Sequence, residues 1–388
     1  MAIINRIGEF HQDMAEWRRD LHEHPELGFE EQRTSAIVAG KLKAFGFDEV
    51  HTGIAKTGVV GVLRAGGGSS AIGLRADMDA LPISEASGVA HASRTPGKMH
   101  ACGHDGHTTM LLGAARYLAE TRNFDGTVYL IFQPAEEMLG GGRVMLEEGL
   151  LDRFPMTRLF GLHNWPGMPV GTFSVRPGPM MAAADRFTLT LQGQGGHGAM
   201  PHITRDPLPA AAQIVLALQT IVARNVDPVK QAVVSVTQIH GGDAYNVIPQ
   251  TALIAGTARS FAPEVRDLIE RRVGAIAHGV GEALQIEVDV RYERGYPPTV
   301  NSEVETDLAA DVAAEVVGDD RVDRATPPVM GAEDFAYMLE QRPGSYIFLG
   351  GGRPEAPLHS PQYDFNDEAL TIGASYWARL VERLLPAG

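Results

Sequence analysis

The chain has 388 residues, enough for two or three domains, and its 48 acidic and 33 basic side chains give a formal net charge of -15 at pH 7. The basic clusters, such as "WRRD" and "ERRV", are short and interrupted by acids, so we do not expect nucleic acid as a partner. No stretch approaches roughly 18 uninterrupted apolar residues, so no membrane-spanning helix is expected.

The N-terminal segment, "MAIINRIGEFHQDMAEWRRDLHEHPE", mixes acids and bases and lacks the apolar core of a signal peptide. Cys102 is the single cysteine and cannot form an internal disulfide, which fits a reducing compartment. We therefore expect a cytoplasmic protein.

The first 184 residues alternate short apolar runs with helical patterns. Apolar side chains between Ile3 and Leu21 recur at spacings of three and four, which predicts an N-terminal helix. The runs "VVGVL", "AIGLRA", "TVYLIF" and "RLFGLH" predict strands, and "HTTMLLGAARYLAE" predicts a helix. This alternation favours an α/β domain on a mixed, largely parallel sheet. In such sheets the binding crevice lies beyond the carboxyl ends of the strands.

A different pattern covers residues 185–298. "RFTLTLQ" alternates like a strand with one solvated face, and Asp206 and Pro207 are typical of a helix N-cap and first turn. The apolar face predicted for that helix consists of Leu208, Ala211, Ala212, Val215, Leu218 and Val222. Two strands, a helix over about 263–283 and the strand "QIEVDVRYE" complete a β-α-β-β-α-β order, which is typical of a ferredoxin-like α+β domain. We therefore predict that residues 185–298 are inserted between 1–184 and 299–388, the two parts of the larger domain.

A cysteine and three histidines lie together in "MHACGHDGH". In an extended segment, Cys102 and His104 point to the same side, and a thiolate with an imidazole is a good divalent-metal site, best suited to zinc. A lone cysteine is otherwise most often a small buried apolar residue. We expect His100 and His107 in hydrogen-bonding roles around the ligands rather than as ligands.

Acidic residues also lie near the predicted ends of strands and helices. Asp105, with Gly106, is typical of the cap of the helix that follows Cys102. Asp77 and Asp79 follow the run "AIGLRA" and could ligate a metal or orient its ligands, although a turn or capping role explains them equally well.

Adjacent carboxylates, Glu136 and Glu137, follow another predicted strand in "IFQPAEE". Neighbouring side chains face different directions, so one can bind a metal while the other moves a proton, a division of labour that metal hydrolases need. An arbitrary acidic pair is more often a solvated loop.

His163 in "GLHNWP" and His359 in "PLHSPQYD" would each, taken alone, be interpreted as loop or core histidines. They become candidate ligands only together with the other donors.

The segment "GQGGHG", Gly193 to Gly198, matches G-x-G-x-x-G after a predicted strand, so a dinucleotide-binding dehydrogenase is a rival interpretation. Against it, "AMPHITRDP" stands where the helix should begin. In addition, no acid lies between Asp206 and Asp227 to bind a ribose.

In order and over nearly the whole chain, these motifs resemble the dimetal aminoacylase and carboxypeptidase G family, in particular its branch with hippurate hydrolase and plant auxin-conjugate amidohydrolases. The motifs that carry the resemblance are "LHEHPELGFEE", "RADMDALPI", "MHACGHDGHT", "FQPAEE", "GLHNWP", "GGHGAMPH", "NVIPQTA", "GTARSF", "GAEDFA" and "LHSPQYDFND".

The resemblance implies a role for each motif. It implies two divalent metal ions, zinc or manganese with nickel or cobalt as further options, and five ligands: Cys102, His104, Glu137, His163 and His359. Glu136 is implied as the general base and acid. Asp77 stands where wider relatives have a histidine, and the Cys102/His104 pair stands where they have a bridging aspartate, so the bridging atom stays open.

The same resemblance implies that the inserted domain is a lid that also forms a dimer interface, in a homodimer or homotetramer. His197 is implied to reach a neighbouring subunit's active site and steady the oxyanion. Asn246 and Arg259 are implied to hold the substrate, with a surface ion pair as the alternative role of Arg259.

The implied reaction is hydrolysis of a small N-acyl amino acid of the hippurate, N-acetyl or indoleacetyl type. The alternative is a dipeptidase or carboxypeptidase on the same dimetal site, and hydrolysis of an aryl amine or another unusual C–N bond is a further one. A non-catalytic metal-stabilised binding protein would be expected to lack Glu136 or a ligand, and all of these residues are present.

Overall fold

The computed structural model describes residues 1–137 and 139–388. Its strands, in chain order, are β1 (Glu49–Ile54), β2 (Gly58–Ala65), β3 (Ala71–Asp77), β4 (Gly126–Gln133), β5 (Arg158–Pro166), β6 (Phe173–Ser174), β7 (Gly178–Met181), β8 (Ala183–Gln192), β9 (Gly196–His197), β10 (Ala232–His240), β11 (Val247–Ile248), β12 (Thr251–Ser260), β13 (Glu287–Arg294), β14 (Thr299–Asn301), β15 (Val322–Asp323) and β16 (Gly344–Gly352). Its helices are α1 (Asn5–Glu9), α2 (His11–Glu23), α3 (Gln32–Phe45), α4 (His104–Thr121), α5 (Gly141–Glu147), α6 (Leu150–Arg153), α7 (Pro207–Leu218), α8 (Pro263–Ala283), α9 (Glu303–Val317), α10 (Ala336–Leu339) and α11 (Leu370–Leu384). No helix in these described ranges is long and apolar enough to cross a membrane.

These elements fall into two units. The first comprises Met1–Met180, Val300–Pro327 and Asp334–Gly388, and the second comprises Met181–Thr299 and Pro328–Glu333. The short segment Pro328–Glu333 thus groups with the second unit, whereas the sequence-based division has only 185–298 there. Nothing in the local sequence signals this return of the chain.

The first unit is built on an eight-stranded sheet in the order β1-β2-β4-β3-β5-β16-β6-β15. Its centre is parallel, because β4–β3, β3–β5 and β5–β16 all pair in that sense, while β1–β2, β2–β4 and β16–β6 are antiparallel. Every residue of β3 is buried, as expected for a strand covered on both faces. The prediction of a mixed, largely parallel sheet is confirmed.

Helix α4 is buried over most of its length and packs against α2, α3, α11 and β3. It begins at His104, and its N-cap is Gly103, whose φ of 92° lies in the left-handed region that favours glycine. The predicted Asp105 cap is wrong: Asp105 lies within the first turn, and its Oδ2 accepts from Nδ1 of His22 at 2.8 Å. Local sequence favours a capping aspartate, but this side chain is used in a tertiary contact instead.

The second unit contains a four-stranded antiparallel sheet in the order β10-β12-β8-β13 with α7 and α8 packed against it. This is the β-α-β-β-α-β order predicted for the segment, and Asp206 caps α7 by accepting from the Leu208 N–H at 2.9 Å. The predicted face of α7 is partly wrong. Its buried residues are Pro207, Ala210, Ala211, Ile214 and Leu218. Leu208 is 38% exposed. The prediction fails there because a segment as uniformly apolar as "PLPAAAQIVLAL" does not show which face will be buried.

Candidate metal centre

The carboxyl ends of neighbouring parallel strands bring the predicted donors to one edge of the first unit's sheet. Asp77 ends β3 and is the register partner of Gln133, which ends β4 just before the "PAEE" turn. His163 lies on β5, opposite Phe348 of β16. This edge is where the binding crevice of a parallel sheet is expected.

Four overlapping groups of side chains in the described part of the first unit could each hold a metal ion, because their ligand atoms lie within 4.8 Å of one another. Three of them consist of the implied ligands and Glu136: Cys102/His104/His163, Cys102/Glu137/His359 and His104/Glu136/Glu137. The fourth is Asp77/His104/His107. Within the first group, Sγ of Cys102 is 3.4 Å from Nε2 of His163. All five ligands that the resemblance implies, and Glu136, are therefore brought together.

Two hydrogen bonds to backbone carbonyls fix which ring nitrogen of each buried histidine is free to ligate. Nδ1 of His104 donates to the carbonyl oxygen of Asp79 at 2.9 Å, and Nδ1 of His163 donates to that of Asn164 at 2.6 Å. A nitrogen facing a carbonyl carries the proton, so Nε2 of each ring has the lone pair that a metal requires.

The donor set fits a divalent cation on its own chemistry. Nε2 of His104 and Oε1 of Glu137 are buried and have no hydrogen-bond partner in the described part of the chain, an arrangement that is costly unless something binds there. Thiolate, imidazole and carboxylate together suit zinc and its neighbours in the first transition row.

His359 reaches the centre from a Pro-rich loop. Its φ of 63° is unusual for a residue with a side chain, and its backbone N–H donates to the carbonyl oxygen of Ala101 at 2.7 Å. Its Nε2 lies 3.1 Å from Oε1 of Glu137, without the alignment of a hydrogen bond. The contact with Ala101 ties this loop to the backbone next to Cys102.

The carboxylate of Asp79 holds the two glutamates by their backbone. Its Oδ1 accepts from the N–H of Glu136 and its Oδ2 from the N–H of Glu137, both at 2.9 Å. Of the roles that the sequence leaves open for this residue, orientation of the ligands is the one its contacts match.

Asp77 is held in a chain of buried polar side chains. Its Oδ2 accepts from Nη1 of Arg75 at 2.7 Å, and its Oδ1 lies 2.6 Å from Nδ1 of His107. Nε2 of His107 lies 2.7 Å from Oδ1 of Asn164, whose Nδ2 donates to the Tyr363 hydroxyl at 2.6 Å. This chain surrounds the donors and limits how they can shift.

The two supporting histidines differ. His107 makes the hydrogen bonds expected of it, whereas neither ring nitrogen of His100 has a hydrogen-bond partner among residues 1–137 and 139–388. The predicted hydrogen-bonding role of His100 is therefore not found, although its ring is fully buried. Burial lowers the pKa of His100 to about 4, so the ring is neutral near pH 7.

Negative charge dominates the electrostatics of the centre. Burial, and then the carboxylates of Glu137 and Glu136, raise the pKa of the Cys102 thiol well above its usual range. Burial alone would lower the pKa of His104, but the carboxylates of Asp77 and Asp79 raise it to about 10. A bound cation reverses both effects, because its charge favours a thiolate and a neutral imidazole.

The second unit holds the other predicted site residues. His197 on β9 is the register partner of Val247 on β11, and the N–H of Gly198 donates to the carbonyl oxygen of Asn246 at 2.8 Å. His197 and Asn246 are therefore brought together on one small ladder. The segment Gly193 to Gly198 enters this ladder rather than a strand-to-helix turn, which removes the basis of the dehydrogenase interpretation.

Arg259 lies on β12, between Val233 of β10 and Ala184 of β8. Within the described residues its guanidinium forms no salt bridge, contrary to the surface ion pair considered as an alternative. Burial is the main factor that lowers its pKa.

Several residues around the centre are not among the sequence-based candidates. Glu31 is fully buried; its Oε1 accepts from the Ala135 N–H at 2.8 Å and its Oε2 from the Thr57 hydroxyl at 2.6 Å. Nη2 of Arg75 and Nε2 of Gln133 both donate to Oδ1 of Asp334, at 3.0 and 2.7 Å. Asn164, Tyr363 and Glu31 all stand inside quoted motifs, but the place of Glu31 just before a helix indicates only a helix start.

The model of peptidase family M20/M25/M40 matches residues 73–383, which include most of these motifs. The chain belongs to this family. The resemblance drawn from the motifs is confirmed.

Members of the family support both the branch and the fold. Hippurate hydrolase of Campylobacter jejuni is 43% identical over 385 residues, covering 99% of this chain and 100% of that protein. An IAA-amino acid hydrolase of Arabidopsis thaliana is 38% identical over 391 residues, covering 98% and 88%. A crystal structure from Bacillus subtilis, described as a dinuclear metal-binding peptidase of the M20 family, matches with a TM-score of 0.85 at 35% identity, covering 97% of this chain and 99% of that one.

A pH-dependent stability is expected from Glu31. Burial raises its pKa from 4.5 to about 7, against the hydrogen bond from Thr57 and reinforced by the Asp79 carboxylate. Because the pKa of Glu31 is raised in the folded state, its protonated side chain contributes stability that is fully present below pH 4.5 and is lost as the pH rises through 7. Glu31→Gln removes this titration, so its free energy of unfolding relative to wild type should rise by about 2 kcal/mol from pH 5 to pH 8.

Urea unfolding of the metal-free proteins at pH 5, 6, 7 and 8 measures this difference. Glu30→Gln removes a charge at an exposed neighbouring position and serves as the control. Parallel stability curves for wild type and Glu31→Gln would show that Glu31 does not titrate in this range.

Proposed function

We propose that this chain is a metal-dependent amidohydrolase that cleaves the amide bond of N-acyl amino acids to a carboxylate and an amino acid. The observation that carries the proposal is the set of overlapping donor groups, in which two buried ligand atoms, Nε2 of His104 and Oε1 of Glu137, have no hydrogen-bond partner in the described chain. The hydrolases among its relatives support the substrate class.

The proposed ligands of two divalent ions are Cys102, His104, Glu137, His163 and His359. A thiolate among them favours zinc, and manganese, nickel or cobalt are the other options. When bound, the ions would polarise the amide carbonyl and acidify a water molecule.

Glu136 is proposed as the proton carrier. Its side chain is 6% exposed, and its Oε1 lies 3.3 Å from the backbone N of Asp334, which donates to it. Glu136 takes one proton from the attacking water as the C–O bond forms, and then gives it to the leaving amine as the C–N bond breaks. Asp79 holds the backbone N–H of Glu136 and so limits the movement of this carboxylate during both transfers.

The substrate contacts are proposed for the second unit. Arg259 suits the free carboxylate of an amino acid, because a guanidinium can bind it through two hydrogen bonds. The nearby Asp185 carboxylate acts on Arg259 but is bound by Arg266, and Arg259 forms no salt bridge within the described residues. His197 is exposed and is proposed to donate to the oxyanion in the active site of a partner subunit, with Asn246 beside it.

A homodimer is supported by the surface of the second unit. Strand β10 forms an edge of its sheet, and Ile239 on that strand is 54% exposed. Leu216 on α7 is 72% exposed. An apolar strand edge of this kind is a template for pairing with another chain.

A cytoplasmic location stays a prediction from the sequence.

The function is tested with a substrate panel. Hippurate, N-acetyl amino acids, indoleacetyl amino acids and dipeptides are offered to protein loaded with Zn²⁺ or Mn²⁺, with metal-stripped protein as the control. We expect hydrolysis of N-acyl amino acids and loss of activity on stripping. Their carboxamide analogues, which lack the charge that Arg259 would bind, should show a KM higher by about tenfold or more. Preferred turnover of dipeptides would favour the peptidase alternative.

Glu136→Gln tests the proposed proton carrier within the same panel. The substitution keeps shape and metal ligands but removes the base, so kcat should fall by about 10² or more while metal content stays at the wild-type value. Metal content by atomic emission separates this result from loss of the ions. Near-normal kcat in this variant would contradict the role of Glu136.

Ile239→Glu tests the dimer. A charge on the exposed edge strand should give monomers in light scattering, together with loss of activity if His197 acts in the partner's site. Val304→Glu, which replaces a 60% exposed apolar residue in the first unit, is the control. An unchanged dimer mass in Ile239→Glu would place the interface elsewhere, and a wild-type monomer would refute the dimer.

A further inference from the structure

Three consecutive backbone N–H groups of the "PAEE" turn are held by two buried carboxylates. The N–H of Ala135 donates to Glu31 at 2.8 Å, and those of Glu136 and Glu137 donate to Asp79 at 2.9 Å each. Asp79 stands among the sequence-based candidates, but Glu31 lies 104 residues before Ala135 and has no assigned role.

The turn at Ala135 depends on outside support. Ala135 is fully buried and has a φ of 55°, in the left-handed region that costs free energy for a residue with a Cβ. Its carbonyl oxygen accepts from the N–H of Gly141 at 2.9 Å, and a Cβ on Gly28 would come within 3.0 Å of its Cα. Without Glu31, its N–H would be a buried donor with no acceptor.

Glu31 is not needed for its own helix. It stands at the N-cap of α3, yet its side chain makes no cap hydrogen bond. Glu26 serves that helix instead: its two carboxylate oxygens accept from the N–H groups of Arg33 and Thr34 at 2.9 and 2.8 Å. The Thr57 hydroxyl orients Glu31 from the other side by donating to Oε2.

We propose that Glu31 is a positioning residue for the reaction: by holding the Ala135 N–H it fixes the turn from Pro134 to Glu137, and so fixes where the carboxylates of Glu136 and Glu137 lie. The proposal rests on the function proposed above for those two glutamates. The Ala135 N–H needs an acceptor oxygen at this position. Gln at residue 31 should therefore hold the turn, and Ala should not.

Amide hydrogen exchange of the metal-free protein, followed by mass spectrometry of peptides that span residues 31–35 and 134–137, tests the inference directly. In Glu31→Ala, exchange at residues 135–137 should quicken by about tenfold or more, and Glu31→Gln should restore most of the protection. Glu26→Ala is the matched control and should quicken exchange at residues 33 and 34 only.

Function is then measured on the same proteins. Glu31→Ala should weaken Mn²⁺ binding by about tenfold or more and lower kcat with a smaller change in KM, while Glu26→Ala keeps both near the wild-type values. If Glu31→Ala does not fold, Glu31→Asp withdraws the carboxylate by one methylene and should show the same exchange pattern.

Unchanged exchange at residues 135–137 in Glu31→Ala, or the same quickening there in Glu26→Ala, would overturn the inference. So would quickened exchange with unchanged Mn²⁺ affinity and kcat. A wild-type protein that binds no Mn²⁺, Zn²⁺ or Co²⁺ would instead refute the proposed function, and the exchange comparison would still decide whether Glu31 holds the turn.

Discussion

The centre depends on one buried residue, Asp79, which fixes three of its side chains at once. Its carbonyl oxygen accepts from Nδ1 of His104, and its carboxylate accepts from the N–H groups of Glu136 and Glu137. A single residue therefore sets the tautomer of one donor and the backbone of two others. Because Asp79 lies two residues after the end of β3, which is buried along its whole length, this reference point is carried by a strand covered on both faces.

Burial gives these contacts their weight. Cys102, His104, His163 and Glu136 are buried together. Burial and then the carboxylates raise the pKa of Cys102, and the carboxylates raise the pKa of His104 against the effect of burial. Such a concentration of buried ligand atoms is costly without a cation and favourable with one. The thiol is then better explained as a ligand than as a nucleophile, since the base required by the proposed reaction is supplied by Glu136.

The sequence predicts the parts of this arrangement that local patterns encode. The spacing of Cys102 and His104, the adjacent glutamates and the alternation of strands and helices all lead to the edge at which the parallel strands end. Two of its failures share one cause, since tertiary contacts decide them. Asp105 has the local chemistry of a cap but binds His22 across 83 positions. Glu31 has the chemistry of a helix start but binds Ala135. Neither partner can be found without the fold.

The most direct test of the account is whether Cys102 binds a metal ion as a thiolate. Titration of the metal-free protein with Co²⁺ should produce the near-ultraviolet charge-transfer absorption of a thiolate–Co²⁺ bond, saturating as the site fills. Cys102→Ser should lose this band while its circular dichroism stays that of the wild type. Co²⁺ binding to the wild type without the band, or the same band in Cys102→Ser, would contradict the proposed centre.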